Sequence, residues 1–203
     1  MSTALTVDHV FLCVGPGGGA PGDVLRKAGY EVVRQRRHVG QGTANLCFRV
    51  GGVLVELLWE VDEDELGGPV PALVSLAPRV RREPGTCPLG VAVAGGPLPT
   101  PSFRWAPTFL PEGSQLDVAV DSVDPARPLV FLAPEPGESP APSWITGRMG
   151  PGVTLVVPSG QGTTPLTRAL DRSGICEVRE GDAWGFVIQS HSGPVSLSPP
   201  AHR

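Results

Sequence analysis

The sequence predicts an α+β protein assembled from two β-α-β-β-β units. Three observations predict it: short apolar runs bounded by glycine turns, one helix signal inside each unit, and the same order of elements at both ends of the chain. Glycine and proline, 27 and 24 of 203 residues, supply the turns and disfavour long helices.

In the first unit, Leu5–Val14 alternates as a strand should. Val7, His9, Phe11 and Cys13 are expected on one face and Asp8, Val10, Leu12 and Val14 on the other. The segment GDVLRKAGY reads as a helix that Asp23 opens and Gly29 ends. Three strands follow, Tyr30–His38, Ala44–Val50 and Val53–Val61, the last two joined by a Gly51-Gly52 hairpin. The C-terminal end repeats the order. Gly152–Val157 is a strand, and Thr164 caps a helix with Pro165 in its first turn and Gly174 as its stop. Ile175–Arg179, Trp184–Gln189 and Val195–Leu197 are the remaining strands.

The predicted division is therefore a first unit over 1–62, a proline-rich insertion over 63–149 and a second, degenerate unit over 150–203. The insertion holds 16 of the 24 prolines, yet Cys87–Ala94, Gln115–Val120 and Pro128–Ala133 still read as strands. Long proline-rich loops in a compact protein are often lids or binding loops. The aromatics Phe103, Trp105, Phe109 and Trp144 call for packing there.

Several function classes drop out. A formal net charge of −4 gives no footprint for nucleic acid. No apolar run approaches a membrane span, and the N-terminal stretch lacks a basic segment followed by an apolar one, so a cytoplasmic protein is expected. Lys27 is the sole lysine, which leaves Schiff-base and Walker-type chemistry one candidate residue. The cysteines Cys13, Cys47, Cys87 and Cys176 form no CxxC pair and read as reduced core residues. Gly17–Gly22 matches GxGxxG, but the next strand ends in Arg36-Arg37-His38 where a dinucleotide site wants an acid, and tight turns follow it. The arginines of 34–37 and 79–82, and the acids of 60–65, read as solvated surface, with an anionic substrate group or surface calcium as the functional options.

Three segments carry a family resemblance: Asp8-His9-Val10 on the first strand, His38-Val39-Gly40-Gln41-Gly42-Thr43-Ala44-Asn45 between the second and third, and Val53-Leu54-Val55-Glu56-Leu57-Leu58-Trp59 on the fourth. With paired β-α-β-β-β units they resemble the glyoxalase-like domain proteins of the vicinal oxygen chelate superfamily (glyoxalase, bleomycin resistance and dioxygenase proteins). The resemblance implies a cupped mixed β-sheet around a cavity, with metal ligands from the first and fourth strands of both units. His9 and Glu56 are the ligands it implies in the first unit. Thr154 and Ser196 fall at the matching places of the second, and neither is a usual ligand. His191 would then be the candidate third ligand for Zn, Fe, Mn or Ni.

The residues themselves support part of this. A carboxylate inside VLVELLW is costly to bury without a partner, so Glu56 is expected to face a cavity, where it could act as a general base with or without a metal. Asn45, His38 and Gln41 are the candidate substrate-binding residues of the glycine turn, joined by Trp59, Trp105 and Phe103. Two function classes follow. One is a metal-assisted or Glu-mediated isomerase, lyase or dioxygenase acting on a small oxygen-bearing metabolite, with His9 and Glu56 catalytic. The other is a non-catalytic protein that sequesters a small molecule, as bleomycin-resistance relatives do. The expected partner is a small-molecule ligand, without nucleic acid or membrane, and the chain a monomer or homodimer.

Overall fold

The structure, a computed structural model, describes residues 5–133, 152–161 and 164–199. It is an α+β protein with a mixed eight-stranded sheet and a separate four-stranded one. The first unit forms in the expected order, β1 (Thr6–Cys13), α1 (Gly19–Lys27), β2 (Val32–His38), β3 (Thr43–Val50) and β4 (Val53–Glu60), but α1 starts at Gly19 without a side-chain cap, and Asp23 lies inside it. Three short helices follow, α2 (Glu63–Leu66), α3 (Pro69–Ala72) and α4 (Leu76–Arg81), and then β5 (Leu89–Ala94), β6 (Ser102–Trp105), β7 (Leu116–Ala119) and β8 (Leu129–Leu132). The chain closes with β9 (Val153–Pro158), α5 (Pro165–Arg172), β10 (Glu177–Gly181), β11 (Gly185–Ser190) and β12 (Gly193–Leu197). No helix among the described residues is long and apolar enough to cross a membrane.

The large sheet runs β2-β3-β4-β1-β5-β8-β7-β6. Its second half comes from the proline-rich stretch, and the last β-α-β-β-β segment builds the small sheet in the order β10-β9-β11-β12. That order differs from the first unit's. There β1 lies parallel to β4, whereas β9 lies parallel to β10, so Thr154 and Ser196 do not stand opposite His9 and Glu56. The parallel partner of β1 being β4 also removes the βαβ pairing that a GxGxxG nucleotide site requires. Linear order predicts the elements, but strand neighbours are set by which apolar faces meet.

Alternation along each strand sorts the large sheet into two faces. Val10, Leu12, Phe48, Val55, Leu57 and Val91 are buried in one cluster with Leu155, Leu166 and Ile188, so the small sheet and α5 cover this outer face. The inner face carries His9, Phe11, Glu56, Ala92 and Phe131. It is curled. The loop after β6, at one edge, places Phe109 on His38 and Thr108 on Val39 at the other edge. A flat sheet of eight strands would separate those edges by roughly 34 Å, and three or four residues of loop reach only about 13 Å.

Two features hold this shape. Phe11 faces Gly90 across the β1–β5 pair, and its ring occupies the space that a Cβ at residue 90 would fill. Arg79, expected at the surface, is instead completely buried. Its guanidinium donates to the carbonyls of Val74, Cys87, Ser122, Asp124 and Arg127, tying α4 to the segments that enter β5 and β8. The four cysteines are free and buried, and burial pushes their thiols up, that of Cys87 to about 12, which fits inert core residues.

Gly90→Ala should cost about 1–3 kcal/mol by overpacking against Phe11. Arg79→Leu, which strands buried carbonyls, should cost about 3 kcal/mol or more. Urea unfolding followed by circular dichroism measures both. An Arg79→Leu midpoint equal to wild type would show that those carbonyls find other donors.

Candidate functional site

The inner face becomes a site because two strands place ionisable groups on it. Leu54 of β4 stands beside His9 of β1, and Glu56 lies one diagonal step further on the same face. The side chains meet: His9 Nε2 is 3.7 Å from Glu56 Oε2, and both are partly open, with side-chain exposures of 18% and 14%. The gap exceeds a hydrogen bond but is within reach of an ion pair.

A β-bulge makes the other half of the arrangement. Val7 pairs with Val93 and His9 with Ala92, so Asp8 is an extra residue on β1. The bulge turns Val7 to the outer core with Val10, where strict alternation had placed it beside His9. It also brings the Asp8 carboxylate to 2.6 Å from His9 Nδ1, which donates to it. The proton on Nδ1 leaves Nε2 to face Glu56.

Glu56 is held from the far side. Asn45 Nδ2 donates to Glu56 Oε1 at 2.7 Å and also lies 3.3 Å from His38 Nε2. His38 Nδ1 and Thr43 Oγ1 share a hydrogen bond of 2.9 Å, and Gln41 Nε2 donates to the same oxygen at 2.8 Å. His38, Gln41, Thr43 and Asn45 are all buried. This chain of bonds fixes the Asn45 amide, because turning it over would face Oδ1 to the carboxylate. Two acceptors, Asn45 Oδ1 and Gln41 Oε1, are buried with no partner among the described residues.

The glycine turn between β2 and β3 is built for that chain. Gly40 and Gly42 have positive φ, and a Cβ on Gly42 would overlap the backbone of Asp62 and Leu66. Glu65 accepts from both amides, at 2.9 and 3.1 Å, and Asp62 caps α2 through the Glu65 amide. The acidic run expected to be solvated is in part this clamp, and Arg37 pairs with its Asp62 at 3.0 Å.

The remaining sequence candidates divide. Trp59 lies on the outer face in the core with Val55 and Leu57, because it shares their parity along β4 and not that of Glu56. Trp105 is buried and donates its indole N–H to the Val70 carbonyl, anchoring β6 to the short helices. Phe103 is half-buried on the inner face, in the row Ala92–Phe131–Val118–Phe103. His191 is exposed in the turn between β11 and β12, in the sheet covering the opposite face, and so does not join His9 and Glu56. Trp144 lies outside the described residues. Sequence reading missed Asp8, Phe131 and Phe109 as site residues. Asp8 could have been found as an acid adjacent to a strand histidine, but the other two depend on the sheet's closure.

The donor set does not fit a resident metal. His9 Nε2 and Glu56 are two donors, Asp8 is engaged by His9, and no group of three metal-ligating side chains occurs among the described residues. In the second half the inner-face positions of β5 and β8 are Gly90, Ala92, Leu129 and Phe131, none of them a ligand.

Comparison with known proteins adds little. No family model matches the chain, and no curated protein does. A solved triple mutant of 4-hydroxymandelate synthase from Streptomyces coelicolor is similar over 96% of this chain at 14% identity, with a TM-score of 0.44. The chain spans 62% of that protein's length. A likeness at that level carries no argument about activity.

The two inner histidines are tuned oppositely. Burial lowers the basicity of His9, but the hydrogen bond and charge of Asp8, with the charge of Glu56, outweigh it and the pKa is raised. Burial also depresses His38, which Glu56 opposes and Arg36 and Arg34 reinforce, and the pKa is lowered. Stability contributed by charged His9 is thus complete below pH 6.5, the ordinary histidine value, and lost as pH rises through its folded pKa. Stability contributed by neutral His38 is present above pH 6.5 and lost as pH falls through its folded pKa. A histidine NMR titration should show His9 with its midpoint above 6.5 and His38 below it. Asp8→Asn should lower the His9 midpoint, and an unchanged midpoint would contradict the Asp8 contact.

Proposed function

We propose that this protein is a metal-independent proton-transfer enzyme of isomerase or lyase type, acting on a small oxygen-bearing molecule with a C–H next to a carbonyl. The observation that carries the reading is the approach of His9 Nε2 to Glu56 Oε2, 3.7 Å apart on the inner face with both side chains partly open to solvent.

Glu56 would take the carbon-bound proton. Asn45 holds its other oxygen, so Oε2 is the one presented to substrate. His9, charged over a wider pH range because of Asp8, would donate from Nε2 to the carbonyl oxygen as negative charge develops there. The electron pair of the broken C–H bond moves into the enolate, and returning the proton to a neighbouring atom completes an isomerisation. His38 is buried with its pKa lowered by that burial, which suits a strut for Asn45 better than a second acid.

The second reading, sequestration of a small molecule without chemistry, is favoured by the two buried acceptors beside the dyad, Asn45 Oδ1 and Gln41 Oε1, that have no partner among the described residues. Solvent-deuterium exchange separates the two. Wild type should exchange the α-proton of a responsive member of a 2-oxo acid and α-hydroxyketone panel, followed by proton NMR, with no effect of a chelator. Glu56→Gln should slow that exchange by about 10²-fold or more at unchanged circular dichroism. Asp8→Asn should move the alkaline limb of the pH profile to lower pH. Exchange no faster than buffer across the panel, or equal in Glu56→Gln, would overturn the enzymatic reading.

A further inference from the structure

His38 stands between two amides that both turn their nitrogens towards it. Asn45 Nδ2 lies 3.3 Å from its Nε2, and Gln41 Nε2 lies 3.4 Å from its Nδ1. The oxygens of the same two amides, Asn45 Oδ1 and Gln41 Oε1, are buried with no partner among the described residues. An amide nitrogen only donates, so His38 Nε2 receives the Asn45 bond on a bare lone pair. The arrangement therefore suits an uncharged ring, whose one proton sits on Nδ1 beside Thr43 Oγ1, 2.9 Å away.

The same Asn45 nitrogen serves Glu56. Its other hydrogen goes to Oε1 at 2.7 Å, so one NH2 group spans the carboxylate and the ring. A proton added to His38 lands on Nε2 and sets one donor against another. The ring is held against swinging away, since Phe109 stacks on it with centroids 4.5 Å apart and Thr43 engages Nδ1. The amide is the part free to respond, because NH2 and oxygen are nearly equal in size and turning over needs no added space. Turning Asn45 gives the new N–H an acceptor that now has no partner among the described residues. It also sets that oxygen against Glu56 Oε1, where the donor had been. Glu56 then loses the bond that fixes which of its oxygens faces His9.

We propose that His38 is a positioning residue for Glu56 that acts through Asn45: the neutral ring keeps the amide nitrogen on the carboxylate, and protonating the ring turns the amide over and releases it. This deepens the reading of Glu56 as the proton acceptor, rests on it, and assigns the acid side of its pH dependence. Contact between His38 and substrate is not required. Several charged groups face the ring. Glu56 on β4 favours its charged form, whereas Arg36 and Arg34 on β2 and His9 on β1 oppose it. Arg37 pairs instead with Asp62 and Glu65, and Glu65 accepts from the Gly40 and Gly42 amides of the turn. Burial adds to the opposition, so the hold on Asn45 is in place at pH 6.5 and above and is lost as pH falls through the lowered midpoint.

The decisive measurement needs no substrate. Long-range proton–nitrogen NMR of the labelled full chain reads the tautomer and titration of His38, and the Asn45 side-chain signals read its bond to Glu56. At neutral pH His38 should carry its proton on Nδ1, and one Asn45 amide proton should stand downfield of the other, as a carboxylate-bound proton does. That displacement should vanish with the His38 midpoint. In His38→Gln, whose amide oxygen can take the Asn45 bond at any pH, the displacement should persist across the same range. A His38 proton on Nε2 at neutral pH, or a displacement that survives His38 protonation in wild type, would overturn the inference, and neither result depends on a variant folding. Loss of the displacement at the same pH in His38→Gln would also overturn it. Kinetics give a second readout. With a probe that wild type exchanges, the rate should fall about tenfold per pH unit below the His38 midpoint. The acid limb should leave that midpoint in His38→Gln, and a limb that stays there contradicts the inference. Failure to exchange any probe bears on the enzymatic reading alone, and the NMR outcomes still decide this one.

Discussion

One extra residue on β1 sets the chemistry of the inner face. Without the bulge at Asp8, period-two alternation would place Val7 on the same face as His9 and turn Asp8 towards the outer core. A carboxylate in that apolar layer would cost several kcal/mol, or would force protonation. With the bulge, Val7 enters the outer core, His9 keeps its place opposite Ala92, and Asp8 lies against the imidazole. The same irregularity therefore completes the core and fixes the histidine tautomer. The orientation of Nε2 towards Glu56, and everything built on it, depends on that shift of register.

A carboxylate between two apolar strands is tolerated for a related reason. Glu56 is neither fully buried nor alone: Asn45 donates to one oxygen, His9 stands beside the other, and part of the side chain reaches solvent. The Asn45 bond is itself secured through His38 and Thr43 to a glycine turn clamped by Glu65. Cooperative chains of this kind rigidify a site when every member is satisfied. Here the chain ends on two buried amide oxygens with no partner among the described residues, an imbalance that a bound molecule or water can relieve.

The first unit was legible in the sequence because its signals are local. Strand alternation, the Gly51-Gly52 hairpin and an acid buried in VLVELLW fix β1, β3 and β4 and bring His9 and Glu56 to one face. The second half was legible in part: Cys87–Ala94, Gln115–Val120 and Pro128–Ala133 hold β5, β7 and β8, but neither β6 nor the strand order could be read. β6 is four residues of a proline-rich stretch, and its pairing with β7 depends on partners outside the segment. The matched punctuation at 150–203 pointed to the wrong partner for the first unit, since a β-α-β-β-β order is compatible with more than one strand arrangement. Arg79 misled for the opposite reason. Charge density suggests solvent, but a guanidinium with five donors can serve as a buried hub wherever enough carbonyls converge, and that convergence is a tertiary fact. Trp59 is different, because its parity with Val55 and Leu57 already opposed a role beside Glu56.

The two halves of the large sheet are alike in strand arrangement and unlike in chemistry, and the difference bears on what kind of catalyst such a cup can be. Flanking the central pair, β4 lies parallel to β1 and β8 parallel to β5. Where the first half places Glu56 beside Phe11, the second places Phe131 beside Ala92. A chelate needs donors from both sides of a hollow to strip a metal of water and hold it, because two ligands leave most of the coordination shell to solvent. An acid–base pair needs only two groups, provided that their environments separate their protonation states and the space around them is dry. The apolar second half sets Phe131 against His9, while Asp8 raises the basicity of the imidazole against the effect of burial. Among the described residues the asymmetry leaves candidate ligands on one half of the sheet only, an arrangement that suits an acid–base pair better than a chelate.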